Sequence, residues 1–180
     1  MLVINFIISM YYKMKNKTVK KYPKKYVPKR LSSKDKKKQK KMIDKSRKLY
    51  KQGKYFTRKK VASFKSKTSP HILKARKIYS VEKVIPSEEL ASRTGCSIEA
   101  LDKIVKKGEA AYYSSGSRPN QTGHSWGYAR MASAITSGKA AAVDYNILEE
   151  GCSPTSKALM LANVARKKHK FGKRKVPKTT

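Results

Sequence analysis

The segment YYSSGSRPNQTG, residues 112–123, gathers side chains that could meet a phosphate. Serine and glycine leave backbone N–H groups open, and Arg118, beside Pro119 at the bend, would be the counter-charge for an anion. The spacing is not that of a Walker loop. Tyr112, Arg118 and His124 would be the hydroxyl, guanidinium and imidazole of an enzyme acting on nucleic acid. His124, however, has no second histidine, acid or cysteine close in sequence, and a capping or surface role fits it better. The carboxylates Asp102, Asp144, Glu149 and Glu150 follow no metal-ligand spacing. The chain is therefore read as a non-enzyme with no catalytic residue, metal or cofactor. The other reading of the loop is a rigid turn that feeds the next helix.

Charge is the stronger signal. Across 180 residues, 45 Lys and Arg stand against 11 Asp and Glu, a formal net charge of +34. One core spread over the whole chain would have to bury many lysines and is excluded. Residues 1–80 hold 28 basic and 2 acidic side chains (+26), residues 81–165 hold 9 of each, and residues 166–180 hold 8 basic and none acidic. A polyanion is the expected partner, DNA in preference to RNA. In KMKNKTVKKYPKKYVPKR, residues 13–30, Tyr22 and Tyr26 interleave with Lys20, Lys21, Lys24 and Lys25, so bases could stack on the rings while the lysines meet phosphates. Arg30 closes that stretch. Lys36, Lys37, Lys38, Lys40 and Lys41 extend the candidate contacts, followed by Arg58, Lys59 and Lys60. Arg118 joins them from the loop, and the tail adds Arg166, Lys167, Lys168, Lys173, Arg174 and Lys175.

The elements that must carry these groups are helical. Pro23 and Pro28 prevent a continuous helix in the first arm. Ser32 or Ser33 can cap a helix over about 33–52, with Asp35 in its first turn and Gly53 after its end. Met42, Ile43, Leu49 and Tyr50 give it only a narrow apolar stripe, so it must dock, fold on contact with nucleic acid, or remain a solvated charge run. Ser69 with Pro70 opens a neutral domain, in which Ile72, Ala75, Ile78 and Tyr79 form the first apolar face. Ser87 caps a helix ending at Gly95, and Ser97 caps SIEALDKIVKK, which Gly108 is expected to stop. HSWGYARMASAITSGK, apolar or small on several sides, is the expected core helix, ending at Gly138. DYNILEEG and a last helix capped at Ser153 or Thr155 complete the set.

The spacing of Ala91, Gly95 and Leu101 resembles the corner of a helix-turn-helix of the phage-repressor type. The second helix would then offer Glu99, Asp102, Lys103, Lys106 and Lys107 to DNA, a mixed charge set. A structural corner and a DNA reader both fit the pattern.

The first twelve residues, MLVINFIISMYY, are apolar but far short of the roughly 20 residues that span a bilayer, and they lack the flanks of a signal peptide. Neither secretion nor a membrane partner is expected, and Met1, Met10 and Met14 are the alternative start sites. Cys96 and Cys152, with no CxxC, are read as buried free thiols of a reducing compartment.

The block from Pro86 to Cys152 resembles a domain of unknown function that recurs in large DNA viruses of algae and amoebae and in tailed phages of marine bacteria. Its most specific strings are SSGSRPNQT, SWGYARMASAITSGKAA and VDYNILEEGC. YVPKRLSSKDKKKQKK and YFTRKKVASFKSKTSPH are similar to a lysine-rich module found beside that domain in giant-virus proteins. The resemblance implies a viral origin, a place in the virion or the infected host cell, and virion proteins as partners; it brings no catalytic residues.

The resulting expectation is an all-α fold: a lysine-rich arm over 1–69, a small helical domain over 70–165 and a basic tail over 166–180, with the extensions disordered or conditionally helical. Its function would be electrostatic association with nucleic acid, or a structural role in the virion. A sequence-specific regulator using residues 87–107 is the alternative.

Overall fold

The structure, a computed structural model, describes residues 22–172 and 178–179. Eight α-helices carry it: α1 Ser33–Tyr50, α2 Pro70–Tyr79, α3 Glu88–Thr94, α4 Ile98–Ser114, α5 Gly123–Ile135, α6 Lys139–Val143, α7 Tyr145–Gly151 and α8 Lys157–Lys168. A 3-10 turn over Lys170–Gly172 follows, and a two-residue antiparallel pair joins β1, Tyr22–Pro23, to β2, Lys178–Thr179. The fold is all-α, as the helical periodicities require.

Local chemistry sets the helix starts. The hydroxyls of Ser32, Ser87, Ser97 and Ser156 each accept a backbone N–H from the first turn of the helix they precede. Pro70 opens α2. The cap of the last helix is Ser156 rather than Ser153 or Thr155. Gly108 does not stop α4, which continues to Ser114. It sits instead where α4 crosses α5: a Cβ on Gly108 would lie 2.6 Å from the Gly127 Cα, and one on Gly127 would lie 2.8 Å from the Val105 carbonyl oxygen. Two facing glycines let the backbones touch, which no other pair of residues permits here.

Around that crossing lies the main core, where Leu90, Leu101, Ile104, Met131, Ile135 and Leu148 are fully enclosed. Cys96 and Cys152 are joined in a disulfide, correcting the free-thiol expectation. Neighbouring backbone bonds from Ser97 N–H to the Gly151 carbonyl, 2.7 Å, and from Ser153 N–H to the Gly95 carbonyl, 2.8 Å, bring the two segments side by side. This bridge ties the α3–α4 corner to the end of α7.

The lysine-rich segment is also part of the fold, so residue 70 is not where packing begins. Tyr22, Tyr26, Val27, Leu31, Met42, Ile43, Val61 and Phe64 form a second core, with Phe56 and Trp126 packed at its edge. The buried stripe of α1 is Asp35, Gln39, Met42, Ile43 and Ser46, whereas Leu49 and Tyr50 are only half-buried. Polar residues widen the stripe because each finds a partner. Gln39 donates to the carbonyls of Tyr26 (3.2 Å) and Ser117 (3.3 Å), Ser46 donates to the Tyr113 carbonyl (3.1 Å), and Asp35 accepts from the Ser63 N–H (2.8 Å) and hydroxyl (2.7 Å). Satisfied in this way, a lysine-rich helix docks without a wide apolar face.

Candidate nucleic-acid interface

The loop between α4 and α5 has a different task from the one its composition suggests. Gly116 lies beneath Ile43 and Tyr26, and Ser117 is fully enclosed. Asn120, at φ 58°, accepts the Val61 N–H (2.8 Å) and donates to the carbonyls of Val61 (3.0 Å) and Phe64 (2.6 Å), holding the irregular strand of chain after α1. The loop is thus the rigid turn, and its serine and glycine backbone is spent inside the protein. Arg118 alone projects outward from its centre.

Arg58 joins this clasp and is not a phosphate contact. It is 7% exposed, and its guanidinium lies 3.6 Å from the centre of the Tyr112 ring. Its Nη1 donates to the Ser46 hydroxyl and the Tyr112 carbonyl, both at 3.1 Å, and its Nη2 to the Ser117 hydroxyl at 2.8 Å. Burial holds its pKa below the usual guanidinium value. The Tyr112 hydroxyl accepts the Arg58 backbone N–H at 3.0 Å. His124 instead pairs with Glu109 on the surface. Tyr112, Arg118 and His124 therefore occupy three separate settings.

What the fold does assemble is a cleft of about 1010 Å³ between the β1–α1 segment, the start of α2 and the exposed sides of α5 and α6. Lys24, Lys25, Arg30, Lys67, Arg118, Arg130 and Lys139 line it together with His71, and no Asp or Glu does so among the described residues. Four of these, Lys24, Lys25, Arg30 and Arg118, belong to the contacts read from sequence. Lys67, Arg130 and Lys139 do not, since they are scattered singly through the chain and only folding unites them. Arg130 is committed to a fully buried carboxylate: its Nε and Nη2 each lie 2.7 Å from Asp144, which Lys107 also meets at 2.9 Å.

The cations in the cleft act on one another. Lys25 has its pKa pulled below the ordinary lysine value by burial first, then by Arg118, Lys139 and Arg130. His71 is pushed below the ordinary imidazole value by burial, then by Lys74 and Arg118. An anion would relieve both penalties.

A second cationic surface lies on the outer side of α1. Lys34, Lys37, Lys38, Lys41, Lys45 and Lys59 ring a shallow depression floored by Met42 and Phe56. Lys36, Lys40, Lys60, Lys167 and Lys168 have solvent access on neighbouring surfaces. Arg166 is turned to packing, its guanidinium 4.2 Å from the Tyr145 ring centre and 5.2 Å from that of Phe171. Lys20, Lys21, Lys173, Arg174 and Lys175, like the apolar run and the alternative start sites, lie outside the described residues.

The α3–α4 corner has the Gly95 turn in the left-handed conformation, φ 73°. Its would-be reading lysines are engaged: Lys103 faces Glu150, Lys106 holds Asp102 at 2.7 Å, and Lys107 is bound to Asp144. Among the described residues no group of three or more His, Cys, Asp or Glu could hold a metal, and no helix is long and apolar enough to cross a membrane.

A family model of unknown function matches residues 12–149, and thus takes in the docked lysine-rich helix as well as most of the neutral domain. No curated protein and no solved structure matches the chain.

Proposed function

The chain belongs to a family of unknown function (DUF5824), and from that premise we propose that it is a non-catalytic nucleic-acid-binding protein. The observation that carries this reading is the cleft, where seven cations from five stretches of the chain converge with no carboxylate among its described lining, Arg130 alone of them being shown held by the buried Asp144 behind it. Concentrating like charge is costly in the free protein, and a polyanion offsets that cost. The lysine surface of α1 adds a sequence-independent contribution of the same kind.

The resemblance to a domain of large DNA viruses and marine phages supports placing this activity in the virion or the infected host cell. Mass spectrometry of purified virions checks the place. The binding itself is tested by titrating nucleic acid at several salt concentrations. With about ten phosphates neutralised, log K against log salt should fall with a slope of about −9 on duplex DNA. A flat slope, or no binding at low salt, overturns the proposal.

A further inference from the structure

Charge explains why a polyanion would enter the cleft, but not why aromatic rings line it. Trp126 and Tyr128, both half-buried on α5, form part of its wall, and Tyr26 and Phe64 line it from the lysine-rich module. A cleft serving only phosphates gains nothing from apolar rings. Trp126 is met edge-on by Tyr26, with ring centres 6.0 Å apart and an interplanar angle of 72°. The Lys25 ammonium lies 5.7 Å from the centre of the Trp126 ring and 5.4 Å from that of Tyr26. A phosphate-binding charge and a stacking surface thus occur side by side, on the scale of one nucleotide.

We propose that this cleft takes an unpaired stretch of nucleic acid, with a base stacked on Trp126 and the adjoining phosphates held by Lys25 and Arg118. The inference rests on the nucleic-acid reading above and adds the strandedness of the ligand. In a duplex the base faces are covered by their neighbours, so only edges and phosphates reach a protein surface. A half-buried ring inside a concave site can meet a base face only where the strand is single. Arg118 suits the second role: it is exposed, and no carboxylate among the described residues pairs with it. Desolvation of Lys25 between Arg118, Lys139 and Arg130 favours an anion at the same spot.

Trp126 is the one tryptophan of the chain, so its emission reports on this cleft alone. The full chain is titrated with a short oligo-dT, an oligo-U of equal length, a duplex of the same length, and a mononucleotide, while emission and affinity are followed. The expected result is quenching by the single strands, with tighter binding than the duplex, which leaves the emission nearly unchanged. The two single strands tell whether DNA or RNA is preferred, and either one quenching supports the site. Trp126→Leu should weaken single-strand binding roughly 5- to 150-fold, the range of one lost base stack, and leave duplex binding unaltered. Trp126→Phe, which keeps a ring, should retain most of the affinity, and decides the matter together with the wild-type quenching if the Leu variant fails to fold. Arg118→Glu should weaken all forms.

Equal affinity for duplex and single strand with unchanged emission overturns this inference and leaves the broader reading standing. Binding of neither overturns both. Quenching by the mononucleotide as strong as by the oligomers would make the cleft a small-ligand pocket and also overturn it.

Discussion

The two cores of this protein are built from different materials. The main core, around α4 and α5, is enclosed by Leu, Ile, Met and Ala and tied across its edge by Cys96–Cys152. The second core, beneath α1, is smaller and richer in aromatic rings and is fastened by polar clasps: Arg58 on Tyr112 and Ser117, Asn120 on Val61 and Phe64, and Gln39 on Tyr26 and Ser117. A segment that must keep its lysines in water has little apolar surface left to bury, and hydrogen bonds to a fixed loop substitute for it. The lesson is that high cationic density does not by itself make a segment a loose arm.

The sharpest way to break this comparison is to damage the main core. Leu101→Ala removes a fully buried side chain and should destabilise by about 2 to 5 kcal/mol, unfolding both cores together because the second rests on α4 and its loop. Chemical denaturation followed by circular dichroism measures it. Survival of the lysine-rich helix after the main core has melted would mean that the second core stands alone.

Reduction of the disulfide comes next. It closes a loop with a sequence separation of 56, and its loss should cost about 2 to 4 kcal/mol. The effect should appear as a lower melting temperature in reducing buffer, and Cys96→Ser with Cys152→Ser should melt at that lower temperature whatever the buffer.

Arg58→Leu tests the clasp. Ser46, Ser117 and the Tyr112 carbonyl would each lose a partner, at a cost of about 1 to 3 kcal/mol, confined to the second core. In the wild type, the trypsin-resistant fragment should begin before residue 33; in the variant it should begin near residue 70. Identical digestion patterns would show that Arg58 fastens nothing.

The smallest effect concerns pH. Burial with Lys74 and Arg118 nearby depresses the His71 pKa, so the unfolded chain takes up a proton more readily than the folded one. Stability is then intact above the ordinary imidazole pKa and falls as pH drops through it. Melting temperatures at pH 7.5 and 5.5 should show the decline, and His71→Gln should reduce it. Nucleic acid in the cleft should work in the same direction as the substitution, by making the imidazolium welcome.

How much of this was legible in the chain depended on the range of the signal. Caps such as Ser87 and Ser97 act within three residues, and the helix starts were readable from them. Gly108 was not, because a glycine that ends a helix and one that lets another helix approach look alike until the partner is known. Gln39 and Ser46 fall outside the apolar stripe of Met42, Ile43, Leu49 and Tyr50, and only Ser117 and Tyr113, 78 and 67 residues away, give them a buried role. The cleft is the extreme case. Arg130 and Lys139 lie in the charge-neutral part of the chain, where counting cations by segment averages them away.

The clasp also dictates an order of events in time. Gln39 to Ser117 and Arg58 to Ser117 span 78 and 59 residues, whereas the α4–α5 crossing at the centre of the main core joins two helices consecutive in the chain. Long closures form late and open early. The lysine-rich helix therefore waits for the loop at residues 115–122 before it can settle. During synthesis it precedes that loop, and it docks only after the loop has formed. Amide hydrogens of residues 33–50 should accordingly exchange sooner than those of residues 123–135, although both stretches are equally helical once folded.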